Sequence, residues 1–336
     1  MNSCGKQGKE VGIIRILMND RGVALIIVLL MVSIIIAITL QLNIASRSEI
    51  YEAANLKDGT KLLYIAKSGF YMGEALLLED DNDYDSLNED WAKLAQISAG
   101  SGVLFDEGYF KPNIEDESGK IQINSLVEGN NYNHNIEDLL IRFLNLSEFD
   151  LSEQEVNDIV DAIKDWIDGD DEVTGFGAED AYYKGLEKPY PCKNGPLDSM
   201  EELLMIKGIT RDIYYGTDET PGIAKYITIY GNGKININTA PTLTLKVLDS
   251  EMTEEMASNM DDFRRSEEND LSNPSWYKYV TGMAGMSIDT GLISTGSTVF
   301  KIISGGYLDN MSKKVTGVIE RQTTNKTDTI LSWKVD

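Results

Sequence analysis

The segment DGDDEVTGFGAED, residues 168–180, holds the side chains of this sequence that could do chemistry most directly. Four of its carboxylates, from Asp168, Asp170, Glu179 and Asp180, are candidate ligands for a hard divalent cation. Calcium takes about six to eight oxygen ligands and tolerates irregular geometry, so a short acidic loop can supply them. Glycines between the acids allow backbone carbonyl groups to turn inward. The loop therefore predicts a structural calcium site.

The spacing of these acids is similar to that of an EF-hand, but one requirement fails. Counted from Asp168, the sixth position is Val173, where an EF-hand needs glycine. We therefore do not interpret the loop as an EF-hand. The alternative is a solvated acidic loop with no bound ion. A thermal melt with calcium and then with a chelator separates the two interpretations.

Composition excludes several other kinds of site. The chain has 336 residues, with 55 acidic against 30 basic and a formal net charge of −25, so no nucleic-acid partner is expected. A single histidine, His134, and two cysteines, Cys4 and Cys192, argue against a His-ligated zinc site, a Ser-His-Asp triad and a disulfide framework. A glycosidase-like pair of carboxylates is compatible with the composition, but the sequence does not locate one.

The elements that must position the loop begin with a predicted membrane anchor. Residues Val23–Leu42 carry no charge, and about twenty apolar residues in a helix span the ~30 Å hydrocarbon layer. A secretory signal has a shorter apolar region, roughly 7–15 residues, followed by a small-residue cleavage site that this run does not match. The preceding flank is net positive, which predicts a cytoplasmic N-terminus with the acidic remainder across the membrane.

The apolar pattern continues past the anchor to about Glu79, and no proline occurs before Pro112. One helix of about fifty residues is therefore predicted, and its outer half must pack on another element, most simply a sheet. Gly59, Gly69 and Gly73 weaken this outer half, since each costs about 1 kcal/mol relative to alanine.

Two segments nearly repeat each other, GKIQINS at residues 119–125 and GKININT at residues 233–239. Each alternates isoleucine with polar residues and ends at a helix-start signal, which predicts a short strand followed by a helix. The second of these helices would carry Pro241 in its first turn.

Further helices are predicted at residues 135–144, 152–166, 198–206 and 253–265. Ser152 and Asp198 are the predicted N-caps of two of them, and Asp165 and Trp166 are assigned to helix and core rather than to the acidic loop. Residues 203–210 have the pattern of a helix-hairpin-helix motif. From about Leu292 onward, alternating apolar and polar residues predict a closing antiparallel sheet.

Several of these features resemble type IV prepilins and pseudopilins, and most of the chain resembles the K-type minor pseudopilin of type II secretion. Gly22 followed by Val23 and an apolar run is similar to a prepilin peptidase cleavage site. The segments at residues 119–126, 165–183, 193–210 and 237–241 look like those of the K-type family. The fifth mature position is Ile27 where most pseudopilins carry glutamate, and the K-type subunit is the family's exception.

The resemblance implies an α/β (α+β) pilin-like fold, in which a long N-terminal transmembrane and amphipathic helix packs on a small antiparallel sheet interrupted by a large, mostly helical inserted domain. Residues 1–22 would be a cytoplasmic leader and 23–42 the transmembrane part of the helix. Residues 43–125 and 292–336 would form the pilin-like domain, and 126–291 the insert. The resemblance also implies bound calcium in the insert.

The function implied is structural rather than enzymatic. The chain would be cleaved after Gly22, N-methylated at Val23 and anchored once in the inner membrane, with its bulk in the periplasm. It would cap a short filament with two smaller minor pseudopilins and the major pseudopilin. A signal-anchored periplasmic enzyme and a minor pilin of a type IV pilus are the alternatives. The first predicts no cleavage at Gly22, and the second predicts a basic patch that the sequence does not offer.

Overall fold

A computed structural model describes residues 20–322 and 325–336 of the chain. Predictions about the basic flank before Asp20, and about Cys4, lie outside these residues. The helices are α1 (Asp20–Glu79), α2 (Leu94–Ile97), α3 (His134–Leu144), α4 (Glu153–Ile167), α5 (Asp180–Lys184), α6 (Arg211–Tyr215), α7 (Thr242–Lys246) and α8 (Glu254–Arg265). Short 3-10 helices include Ser98–Leu104, Ile123–Leu126 and Met200–Met205.

The strands are β1 (Tyr109–Asp116), β2 (Ile121–Gln122), β3 (Val127–Glu128), β4 (Asn131–Tyr132), β5 (Ile227–Thr228), β6 (Ile235–Asn236), β7 (Ile293–Ser294), β8 (Val299–Leu308), β9 (Met311–Gln322) and β10 (Thr327–Val335). By its internal contacts the chain divides into two units, residues 1–61 and 62–336.

The first unit, where described, is helical throughout and exposes its apolar side chains. Its residues belong to α1, which is one helix among the described residues that is long and apolar enough to cross a membrane. The predicted anchor at Val23–Leu42 is thus helical, and the predicted end of the helix at Glu79 is confirmed.

In the second unit, the last turns of α1 pack on a four-stranded antiparallel sheet of order β1-β8-β9-β10. The buried face of the helix presents Ala66, Phe70 and Leu77, which lie in one core cluster with sheet residues such as Phe300 and Ile319. This confirms the predicted arrangement of a helix on an antiparallel sheet.

The glycines of α1 in this unit have a packing role that the sequence interpretation missed. A Cβ atom on Gly69 would overlap the Ser304 hydroxyl, and one on Gly73 would lie only 3.1–3.3 Å from side chains of Leu94, Ile302 and Ile114. Both positions let the helix approach the sheet closely. The close helix–sheet contact therefore offsets the free energy that each glycine costs in a helix relative to alanine.

The strand predicted at residues 119–125 is not a member of this sheet. Only Ile121–Gln122 are extended there, and they pair in parallel with β5. The side chains of Ile121 and Ile123 join the core of the insert, so this part of the segment assigned to the pilin-like domain packs with the insert. The first strand of the sheet is instead β1, which pairs with β8 along its whole length. β6, from the second repeat, pairs in parallel with β7.

The predicted helices of the insert are largely present. α3, α4 and α8 lie within one residue of their predicted bounds, and Ser152 caps α4 in a capping box with Glu155. Two details were wrong. The helix predicted from Asp198 is a 3-10 helix that begins one residue later, in a capping box of Ser199 with Glu202. The Asp198 carboxylate pairs instead with Lys193 at 2.7 Å. Pro241 precedes α7 rather than lying inside it.

Candidate cation site in the insert

The acidic loop begins where α4 ends, and the helix fixes its first carboxylate. Asp168 follows the last residue of α4 and is fully buried. Its Oδ2 accepts a hydrogen bond from Lys164 Nζ, one helical turn earlier, at 2.5 Å. Asp165 and Trp166 lie within α4 and are buried, as predicted, and Trp166 packs edge-on against Tyr183 with 5.0 Å between ring centroids.

The middle of the loop folds back along α4 through hydrogen bonds to its acidic side chains. Thr174 N donates to Asp165 Oδ1 at 3.0 Å, and Phe176 N donates to Asp161 Oδ2 at 3.0 Å. Gly175, between them, has a φ of 50°, a left-handed conformation that favours glycine. These contacts return the chain to the start of α5 beside Asp168.

Glu179 precedes α5 and brings a second buried carboxylate to the same place. It is 2% exposed. Oxygen atoms of Asp168, Asp170 and Glu179 all lie within 4.8 Å of one another. Burial, together with the charges of Asp165 and Asp168, raises the pKa of Glu179 to about 7. Three of the four predicted ligands therefore converge.

Several buried oxygens at this place have no hydrogen-bond partner among the residues that the structure describes. They are Asp168 Oδ1, both carboxylate oxygens of Glu179 and Asn194 Oδ1. A buried, unpartnered carboxylate is costly, so unsatisfied oxygens gathered together need a counter-charge. A calcium ion, which is bound by carboxylate and amide oxygens, fits this set of donors.

Asn194 is a candidate ligand that the sequence interpretation missed. Its Nδ2 donates to the Asp170 carbonyl at 2.6 Å and to Asp171 Oδ1 at 3.2 Å, so the side chain is fixed against the loop. Its backbone has a φ of 48°. The sequence signal was an asparagine before glycine and proline, which we interpreted only as part of the family resemblance.

Asp180, the fourth predicted ligand, is engaged elsewhere. Its carboxylate pairs with Lys184 one turn along α5 and accepts a hydrogen bond from Cys192 N at 3.3 Å. Asp168, Asp170 and Glu179 form the set that the geometry brings together, and Asn194 is held beside it by its contacts with Asp170 and Asp171. Cys192 itself is buried and forms no disulfide within the described residues; its Sγ donates to the Asp165 carbonyl at 3.6 Å, and burial raises the pKa of the thiol to about 12.

A second acidic cluster differs from the loop, because its carboxylates are bound by donors from the protein itself. Oxygens of Asp80, Asp85 and Glu89 also lie within 4.8 Å of one another. Here Arg321 donates to Asp80 and to both oxygens of Asp85. Glu89 accepts from Ser86 N and the Trp91 indole at one oxygen and from Asn82 at the other. Protein groups therefore bind all three of these carboxylates, whereas Asp168 Oδ1 and both oxygens of Glu179 have no such partner among the described residues.

The segment with the helix-hairpin-helix pattern is part of the core. Leu203, Ile206 and Ile209 are buried in the main cluster of the insert. Lys207 lies within this segment, and its ammonium group donates to the carbonyls of Phe176 and Gly177, at 2.7 and 3.2 Å. This lysine therefore holds the middle of the acidic loop in place.

Comparison with known proteins finds similarity to the family that the sequence resembles. A family model described as type II secretion system (T2SS), protein K matches residues 119–218, which include the whole candidate site. Proteins named type II secretion system protein K are similar over much of the chain. The one from Aeromonas hydrophila is 26% identical over 71% of this chain and 69% of its own length. The one from Pseudomonas aeruginosa is 26% identical over 90% and 89%.

The fold has a solved counterpart. It matches, with a TM-score of 0.68 and 16% identity, a chain from the crystal structure of the GspK-GspI-GspJ complex from the enterotoxigenic Escherichia coli type 2 secretion system. The match covers 85% of this chain and 99% of that chain. A likeness at this identity shows a shared fold.

Proposed function

We propose that this chain is a minor pseudopilin of type II secretion, similar to protein K of that system, and that it caps the tip of the short periplasmic filament of the secretion machine. From there it would assist the export of folded proteins across the outer membrane. The observation that carries the proposal is the match over residues 119–218, on a chain whose helix α1 contains the uncharged run Val23–Leu42.

Pseudopilins of type II secretion are anchored in the inner membrane, and α1 supplies a helix of sufficient length. We expect the N-terminus to face the cytoplasm, because the flank before the anchor is net positive. We further expect a prepilin peptidase to cleave after Gly22 and to methylate the new N-terminus at Val23. The extracted helix would then pack against neighbouring helices of the filament.

The tip position is supported by the residue at the fifth mature position. A glutamate there would neutralise the N-terminal amine of the subunit above. Ile27 has no charge to offer, and its side chain lies on the helix surface with 47% exposure. A subunit without that glutamate has no electrostatic need for a neighbour above it. The insert, residues 126–291, would also obstruct another subunit stacked there.

The partners proposed are two smaller minor pseudopilins, then the major pseudopilin below them. The solved counterpart comes from a complex with two other proteins of the same secretion system, which supports this assignment by analogy. The role proposed for calcium is structural. It would neutralise Asp168, Asp170 and Glu179 and hold the loop closed, with Asn194 contributing an amide oxygen.

Complex formation tests this function. We expect the full chain, co-expressed with the two smaller minor pseudopilins of its own organism and extracted in detergent, to elute with both as one species in size-exclusion chromatography. The major pseudopilin expressed alone with this chain serves as the comparison, because it should not replace both smaller subunits. Separate elution of a folded chain under all conditions would contradict a role in the filament tip.

A further inference from the structure

Among the described residues, Lys164 carries the only ammonium group that contacts the converging carboxylates of the candidate cation site. Its side chain projects from α4 and is only 9% exposed. Its Nζ donates to Asp168 Oδ2 at 2.5 Å and to Thr174 Oγ1 at 2.8 Å. The Tyr132 ring covers it, with 5.6 Å between Nζ and the ring centroid. A carboxylate, a hydroxyl and an aromatic face therefore surround a buried positive charge.

The groups around this ammonium are themselves fixed to α4. The Tyr132 hydroxyl donates to Asp161 Oδ1 at 2.6 Å, and the Thr174 amide donates to Asp165 Oδ1 at 3.0 Å. Attraction between a cation and an aromatic face is strongest where water is excluded. Because acidic residues of one helix hold both neighbours, Lys164 keeps a defined position beside the site.

Lys164 determines which oxygen of Asp168 is available to a metal ion. The charge-assisted hydrogen bond from the ammonium group occupies Oδ2. Oδ1 is buried and has no hydrogen-bond partner among the described residues. Asp168 therefore offers a cation one oxygen rather than two. Lys164 is in this sense a positioning residue for one of the candidate ligands.

The charge of the site equals that of a divalent ion only when Lys164 is counted. Asp168, Asp170 and Glu179 carry three negative charges when all are ionised, as the ligands of a metal ion are. The ammonium group of Lys164 compensates one of them, which leaves two. Without it, the same three carboxylates would match a trivalent ion. Charges that are partly withdrawn from water interact strongly, so this difference matters for binding.

Lys164 does not replace the metal ion. In the other acidic cluster, the Arg321 guanidinium donates to both oxygens of Asp85 and to one of Asp80. Lys164 instead donates to a single oxygen of one carboxylate in a set of three. Asp168 Oδ1 is left without a partner. The lysine therefore changes the charge of the site while its oxygens still need a cation.

We propose that Lys164 sets the charge selectivity of the candidate cation site. Its buried ammonium group lowers the charge of the carboxylate set to that of a divalent ion and disfavours trivalent ions of similar size. This inference rests on the calcium site in the proposed function. It assigns the choice of ion to a residue that does not itself bind the ion.

Terbium(III) is a suitable probe, because it is similar in size to calcium and carries one more positive charge. Its luminescence is sensitised by nearby aromatic rings, and Trp166 packs against Tyr183 beside the loop. The full chain in detergent is titrated with terbium, which is then displaced with calcium, so both dissociation constants are measured. Luminescence that Glu179→Gln abolishes is assigned to the site.

Lys164→Met should shift the ratio of the two dissociation constants at least about tenfold toward terbium, because the lost positive charge repels a trivalent ion more than a divalent one. Loosening of the loop changes both constants alike, so the ratio separates charge selectivity from a merely structural role. Lys164→Arg keeps the charge and should retain the ratio. Lys207→Met is the matched control, because Lys207 holds the same loop through the carbonyls of Phe176 and Gly177. It should leave the ratio unchanged.

A charge-compensating pair of variants keeps the test decisive if Lys164→Met does not fold. Asp168→Asn alone lowers the negative charge of the site and should shift the ratio toward calcium. Asp168→Asn combined with Lys164→Met removes both members of the buried ion pair. The site then has the same charge as in the unchanged chain, so the ratio should return toward that of the unchanged chain.

The outcomes separate this inference from the site beneath it. Absence of calcium-displaceable luminescence in the unchanged chain would overturn the cation site and the role of Lys164 together. A ratio that Lys164→Met leaves unchanged, or that Lys207→Met shifts equally, would overturn the role of Lys164 alone. Equal ratios in Asp168→Asn with and without Lys164→Met would overturn it as well. Complex formation with the smaller pseudopilins tests the tip position independently of all these results.

Discussion

Calcium should raise the melting temperature of the full chain, and the carboxylates of the candidate site should be required for the increase. At a concentration about a hundredfold above Kd, a ligand that binds only the folded state adds about 2.7 kcal/mol, which corresponds to roughly 5–10 °C for a domain of this size. The physical reason is that buried oxygens of Asp168 and Glu179 have no partner among the described residues until a cation supplies one. A thermal melt in detergent, with calcium and then with chelator, measures the difference.

Variants of single carboxylates make this prediction specific. Glu179→Gln removes a charge from the converging set, so we expect the calcium response to disappear. Glu172→Gln makes the same chemical change at an exposed position of the same loop, and the response should remain. Asp180→Asn should also retain the response, because that carboxylate pairs with Lys184. Equal melting temperatures with calcium and with chelator would show that the loop is merely solvated.

Replacement of Arg321 by leucine should have the largest effect of any single change outside the cation site. Its guanidinium donates to Asp85 Oδ1 and Oδ2 at 2.6 and 2.7 Å, to Asp80 Oδ2 at 3.1 Å and to the Leu77 carbonyl at 3.3 Å. Arg321 and Asp85 are 4% and 2% exposed. Burial already raises the pKa of Asp85, and the Arg321 charge opposes that effect.

Loss of one partner from a buried ion pair costs about 3–5 kcal/mol, because the other charge is left uncompensated. We therefore expect the melting temperature of Arg321→Leu to fall by on the order of 10 °C. Lys93→Ala, which breaks an exposed pair with Glu267 at 3.0 Å, is the control and should change stability by less than about 1 kcal/mol. A fall no larger than that of the control would mean that Arg321 does not hold the end of α1 to the sheet.

The elements that were predictable from sequence are those with long, regular patterns. The uncharged run from Val23, the end of α1 at Glu79 and the capping box at Ser152 could each be read locally, because each depends on adjacent residues. The closing strands β8–β10 also followed from simple alternation. These features define the architecture of a helix on an antiparallel sheet.

The strands that the sequence analysis did not predict correctly differ for physical reasons. β1 contains Pro112, which argues against a strand, yet β1 lies at the edge of its sheet, where the missing amide hydrogen costs no interior ladder bond. The strand at Ile121 has a strong pattern but only two residues, and it pairs with β5, far away in sequence. Local alternation cannot reveal such a partner.

The candidate site was predictable in its location but only partly in its ligands. Carboxylate density pointed to residues 168–180, and three of the four named acids converge. Asp180 differs because a lysine one turn along α5 engages its carboxylate. Asn194 was missed because it comes from a separate segment, which the fold brings back against the loop. Which oxygens remain unpartnered is a property of the folded chain.

The N-terminus of the mature chain shows whether the chain is processed as a pseudopilin. The full chain should be expressed with a prepilin peptidase, purified from the membrane fraction in detergent and measured by mass spectrometry of the intact protein and its N-terminal peptide. We expect a chain that begins with N-methylated Val23, and we expect a Gly22→Leu variant to remain uncleaved under the same conditions. A full-length chain that retains its leader beside an active peptidase would contradict the account and would favour a signal-anchored periplasmic protein.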